Sequence, residues 1–103
     1  MATIGTLTHK QDGSYVGQIN TLTLNAPLTL VPITKTSDNA PDFRIFSGRA
    51  EVGAGWKKIG RESQSEYVSI TLESPELPKK ILANLGKAAG QDDPDVYAII
   101  WNA

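Results

Sequence analysis

The residues best suited to chemistry in this sequence lie between Arg44 and Arg61. Arg44, Arg49, Lys57, Lys58 and Arg61 stand against a single acid, Glu51, a local balance of +4, and Phe43, Phe46 and Trp56 are interleaved among them. Cations for phosphates and rings for base stacking are what a single-stranded nucleic acid requires of a protein surface. Strand alternation puts Arg44 and Phe46 on one face and Phe43 and Ile45 on the other. Phe43 and Ile45 are then the core pair. Phe46 beside Arg44 is the ring to expect at a nucleic-acid surface, with Arg49, Lys57, Lys58 and Arg61 adding phosphate contacts. Trp56 shares its parity with Val52 and Ala54, which predicts a buried indole. The plainer reading of the block is a solvated basic edge over core aromatics.

Directly after it, Glu62, Glu66, Glu73 and Glu76 form a local −4 with no basic residue among them. The simpler explanation is that the two blocks pair across neighbouring strands and cancel. On opposite faces they would instead make the molecule dipolar, with a basic face despite a net charge of −1.

A second candidate surface is the polar connection Lys35, Thr36, Ser37, Asp38, Asn39, Ala40, Pro41 and Asp42. Its Asp, Asn and Ser side chains can bond local backbone in Asx-type turns. With exposed strand edges it would make a partner-binding surface, by strand addition for example. Its structural reading is a well-satisfied turn that supports the domain.

Other chemistry is poorly served. The chain has no Cys and one His, His9. That removes disulfides, thiolate metal sites, Cys nucleophiles and any site needing two imidazoles. His9 reads as a surface residue. Asp38, Asp42, Asp92, Asp93 and Asp95 match no calcium-loop spacing and read as solvated acidic turns. Gly86-Lys87-Ala88-Ala89-Gly90 lacks the spacing and the Ser/Thr of a phosphate loop. No Gly-x-Ser-x-Gly elbow occurs. No catalytic set, metal site or cofactor is expected, and the expectation is a binding protein and not an enzyme.

The elements that must position these residues read as strands. Thr alternates with aliphatics through much of the chain. The N-terminus lacks the basic and apolar regions of a signal peptide, and no apolar run approaches a membrane span. A cytoplasmic protein with no membrane partner is therefore expected, and 103 residues suit one domain. Thr3 to His9 is a strand, and Asp12-Gly13 signals a hairpin with a type I′ turn. Ser14 to Leu24 reads as a longer strand whose register a bulge near Asn20 would repair. Asn25-Ala26-Pro27 reads as a turn, and Leu28 to Thr34 as a strand that bends or lies at an edge because of Pro32. Phe43 to Phe46 and Ala50 to Ile59 follow. Gly53 and Gly55 inside the latter permit close approach or a sharp bend. Glu66 to Leu72 alternates most cleanly. Lys79 to Ala89 fits a strand or a short helix. Val96 to Asn102 reads as a last strand buried on both faces. Seven or eight short strands with turn signals between them predict an all-β fold, a small antiparallel barrel or sandwich, with a short helix near 75–89 as the one open element.

Several stretches carry a family resemblance. They include Ile19-Asn20-Thr21-Leu22-Thr23-Leu24-Asn25, the segment Lys35 to Arg44, and Glu51-Val52-Gly53-Ala54-Gly55-Trp56-Lys57-Lys58. Met1 to Gly5, Val31-Pro32, Ala83-Asn84-Leu85 and the closing Ile100-Trp101 complete the set. With them the chain resembles the domain of unknown function 736 family, small proteins of alphaproteobacteria and their relatives, over essentially its whole length. The resemblance implies no particular activity. Its members' frequency on plasmids and integrative conjugative elements implies a mobile-element accessory role. The segment Gly86 to Gly90 departs from the acidic pattern expected there.

Two functional expectations follow. The first is a small β-domain that binds single-stranded nucleic acid, in particular single-stranded DNA, through Arg44, Phe46, Arg49, Lys57, Lys58 and Arg61. The alternative is a protein-interaction module or inhibitor of a host protein, working through Lys35, Thr36, Ser37, Asp38, Asn39 and Asp42.

Overall fold

A computed structural model describes residues 2–60, 66–88 and 93–102. Among them run eight strands: β1 (Ala2–His9), β2 (Tyr15–Asn20), β3 (Asn25–Pro32), β4 (Phe43–Ser47), β5 (Ala50–Ile59), β6 (Glu66–Leu72), β7 (Ile81–Lys87) and β8 (Val96–Trp101). Each pairs antiparallel with the next, and β8 pairs antiparallel with β1, so the sheet closes into a barrel. Closure removes the free edges an open sheet would expose. No helix is present among the described residues: within the segment read as strand or helix, Ile81–Lys87 forms β7, with Ala83 and Leu85 buried and Leu82 exposed. Its Ile81-x-Ala83-x-Leu85 alternation prevails over helix-forming composition because two flanking strands offer ladder partners on both sides.

Inward positions alternate along the strands and fill the middle of the barrel. Leu7, Ile19, Leu30, Ile45, Ile70, Leu85 and Ile99 are its fully enclosed side chains. Two bulges break the alternation. In β1, Thr3 pairs with Ile100 but Gly5 with Ile99, so Ile4 is extra, and both Ile4 and Gly5 are buried. In β5, Glu51 pairs with Phe46 but Gly53 with Ile45, so Val52 is extra. The bulge expected near Asn20 is absent. Instead β2 ends at Asn20, and Thr21 to Leu24 form a turn in which the Thr21 N–H donates to the Leu24 carbonyl at 2.8 Å. Asn25-Ala26-Pro27, expected as a turn, is the start of β3, because closing that turn earlier hands these residues to the ladder with β2.

The Asp12-Gly13 hairpin is where it was expected, with a different turn. The Gly13 N–H donates to the Lys10 carbonyl, and the Lys10 N–H to the Ser14 carbonyl. Three residues therefore cross between the strands, and Gly13 takes the left-handed φ of 93° that closes such a loop. The last strand is not buried on both faces alike: Ile99 is fully enclosed, Ala98 is buried, and Ile100 is only half-buried on the outside.

The connections β1–β2 and β3–β4 lie at one end, here the upper mouth, where β5 and β7 also end and β6 and β8 begin. The connections β2–β3, β4–β5 and β6–β7 lie at the lower mouth. No helix among the described residues is long and apolar enough to cross a membrane.

Candidate nucleic-acid interface

The outside of the barrel is divided by chemistry. The outward positions of β7, β8, β1, β2 and β3 carry residues such as Thr6, Val16, Gln18, Thr29, Leu82 and Asn84 and no charged side chain. The outward positions of β4, β5 and β6 carry Arg44, Phe46, Glu51, Trp56, Lys58 and Tyr67. All three outward-facing rings of these strands therefore share the face that holds Arg44 and Lys58.

The bulge at Val52 creates this grouping. Without it, Trp56 would share the inward parity of Val52 and be buried. With it, inward alternation restarts at Gly53 and passes to Gly55, which pairs with Phe43. Trp56 then pairs with Ser69 on the outside and is only half-buried, which corrects its expected burial. Gly53 makes the bulge possible: a Cβ there would sit 2.0 Å from the Thr71 carbonyl oxygen. The signal in the sequence was the glycine inside a strand pattern, which marks a bulge as readily as a bend. Lys58 pairs with Tyr67 one step further along the same face.

Arg44 and Phe46 are together as expected. The guanidinium lies 5.1 Å from the Phe46 ring centroid and donates through Nε and one terminal nitrogen to both Glu51 carboxylate oxygens, each at 2.8 Å. These bonds hold the Glu51 carboxyl below its ordinary range and raise Arg44 further. The ion pair thus forms within the basic block. The expected cancellation against the following acids is not what occurs at Arg44, because Glu51 sits next to it across the β4–β5 ladder.

The remaining candidates disperse. Lys58 shares the face of Arg44. Lys57 turns inward at the upper mouth, where its Nζ lies 5.8 Å from the Phe43 ring centroid. Arg49 is exposed in the β4–β5 turn at the lower mouth. Arg61 lies outside the described residues.

The Lys35–Asp42 connection is anchored to this face. Trp56 donates its indole N–H to the Asn39 carbonyl at 3.1 Å. Asp42 accepts the Lys57 backbone N–H at 2.8 Å, donates its own N–H to the Gly55 carbonyl, and pairs with Lys35 at 3.7 Å. The Ala40 N–H closes a turn onto the Ser37 carbonyl. Asp42 and Lys35 thus support the loop, while Thr36, Ser37, Asp38 and Asn39 are exposed at its tip.

The upper mouth holds a second aromatic group. His9 stacks on Tyr15 at 4.4 Å, and Tyr15 meets Phe43 and Tyr97 edge-on at 5.7 and 5.4 Å. His9 is thus half-buried in a ring cluster and not a free surface residue, because position 9 has inward parity opposite Tyr15. Lys87 lies over Tyr97 at 4.7 Å. Among the described residues no group of three or more His, Asp or Glu is arranged to hold a metal.

Residues 3–103 match the model of a family described as protein of unknown function (DUF736), and the chain belongs to that family. No curated protein and no solved structure matches it.

Proposed function

We propose that this member of the DUF736 family is a non-catalytic binding module of the cytoplasm that takes single-stranded nucleic acid on its β4–β5–β6 face, as an accessory of a mobile element. The observation that carries this reading is the grouping of Phe46, Trp56 and Tyr67 with Arg44 and Lys58 on one side of a barrel whose other five strands carry no outward charged side chain. Rings spaced along neighbouring strands offer successive bases a stacking surface, and the two cations lie within reach of the intervening phosphates. The tether from Trp56 to Asn39 fixes one ring before any ligand arrives, which lowers the ordering cost of binding. A labelled oligonucleotide titrated at two salt concentrations tests the reading. Binding that weakens steeply with salt is expected; no binding at low salt would sink it.

A second reading has its own support. The tip Thr36–Asn39 is exposed on a loop held at its base by Trp56 and Asp42, the arrangement of a recognition loop on a rigid scaffold. In that reading the partner is a protein. A pull-down after nuclease treatment separates the two: partners that survive nuclease and are lost on changing Asp38 and Asn39 to Ala favour the protein.

A further inference from the structure

The lower mouth opens into a cavity of about 250 Å³ that neither reading above uses. Ile19, Leu28 and Leu72, all buried, form its floor, and Leu24, Leu77 and Ile81 form its walls. It stays open because the inward position Ala26 and the rim positions Ser47 and Ala50 contribute only small side chains. Apolar cavities of this kind are poor sites for water and good ones for an apolar guest. Since an apolar cavity of roughly 150 Å³ takes up benzene, the larger space here suits a tail of about eight carbons.

Apart from Ser47 of β4, the polar side chains of the lining, Ser74 and Glu76, belong to the β6–β7 turn. The Leu77 N–H closes a turn onto the Ser74 carbonyl at 2.9 Å, and the Leu77 side chain lines the cavity. Within that turn the Ser74 hydroxyl donates to the Glu76 carboxylate, which keeps Glu76 ionised to lower pH than an ordinary glutamate. A carboxylate thus lines the cavity itself. Glu73, Lys79 and Lys80 line a separate cleft on the outer side of the same turn, sharing Ser74 and Leu77 with it.

We infer that this cavity is a binding site for a small amphiphile with an unbranched apolar tail of about eight carbons and a protonated amine head held at Glu76. The tail replaces empty volume against Ile19, Leu28 and Leu72. The ammonium meets Glu76, the one charged side chain of the lining among the described residues, where a carboxylate head would be repelled. The site is independent of the β4–β6 face, so it stands or falls separately from nucleic-acid binding.

Octylamine, octanol and octanoate, titrated separately into the intact protein and followed by methyl NMR, test it. Octylamine is expected to shift the Ile19, Leu77 and Ile81 methyls saturably, with octanoate about tenfold weaker or more. Glu76→Gln, at an exposed position, should remove the preference for the amine and leave octanol binding unchanged. Ala26→Leu should fill the space and abolish binding of all three. Absence of saturable shifts with octylamine overturns the proposal. So does octanoate binding as tightly as octylamine, which would place the head at Lys79 and Lys80, and so does an amine preference that survives Glu76→Gln.

Discussion

Trp56 and Asn39 are joined by an indole N–H that donates to a backbone carbonyl across 3.1 Å, so the loop between β3 and β4 and the ring-bearing face of β5 are positioned as one unit. Trp56→Phe keeps a ring and removes the tether; Trp56→Ala removes both. Amide exchange at residues 36–40 should quicken in both variants. Oligonucleotide affinity, read by anisotropy, should fall about tenfold or more only in Trp56→Ala, since stacking on one base contributes roughly 1–3 kcal/mol.

Tyr67 and Phe46 should behave as further stacking positions. Tyr67→Ala is expected to weaken oligonucleotide binding about tenfold. Val16→Ala, on the uncharged side, should leave it unchanged. Equal losses from Tyr67→Ala and Val16→Ala in the same anisotropy assay would count against the β4–β6 face.

Glu51 competes with phosphate for Arg44. Glu51→Gln should tighten oligonucleotide binding and steepen its salt dependence by about one counterion. Because both partners are well exposed, thermal stability should barely change. A weaker oligonucleotide complex in this variant would mean that the ion pair positions Arg44 instead of occupying it.

Gly53 tests whether the bulge is required. A methyl group there would lie 2.0 Å from the Thr71 carbonyl oxygen, and backbone must move to admit it. Gly53→Ala should cost about 2 kcal/mol or more in urea unfolding, in the range of an overpacked interior. It should also change Trp56 fluorescence, because shifting the register of β5 turns the indole.

Most of the barrel was readable from alternation. Val68, Ile70 and Leu72 pointed inward as their spacing required, and Phe43 with Ile45 was the core pair. Side-chain parity is a local signal, and it failed where an extra residue entered a strand. The Val52 bulge reversed the facing of Trp56, and the turn at Thr21–Leu24 cut the second strand short. The candidate interface was half legible for the same reason. Arg44, Phe46 and Lys58 share one outer face, Trp56 was assigned to the interior, and Lys57, expected among the surface cations, faces the upper mouth. No periodicity in the sequence distinguishes a cation at the end of an inward row from one on the surface.

Tyr15 should report on the upper mouth at high pH. Burial raises its hydroxyl pKa above the ordinary 10.0, and the neighbouring Tyr97 and Glu66 push in the same direction. A raised folded-state value means that Tyr15 stabilises the fold fully below the unfolded value and that this contribution is lost as pH rises through the folded one. Phenolate absorbance should show a late step that Tyr15→Phe removes. At the other extreme, hydrogen bonds from Ser14 hold the Asp12 carboxyl low, so its contribution is present above the ordinary carboxylate range and lost as pH falls through its folded value.

The pairing of β8 with β1 has a consequence for biogenesis. A nascent chain cannot complete its ring until Val96–Trp101 has left the ribosome, and until then β1 and β7 each present an unpaired edge. Those edges are long enough to recruit strands from other chains. Truncation before Val96 should therefore yield aggregates and not a smaller domain. A circular permutant that joins Asn102 to Ala2 through a short linker and opens at the Asp12-Gly13 hairpin keeps every ladder, and should remain monodisperse.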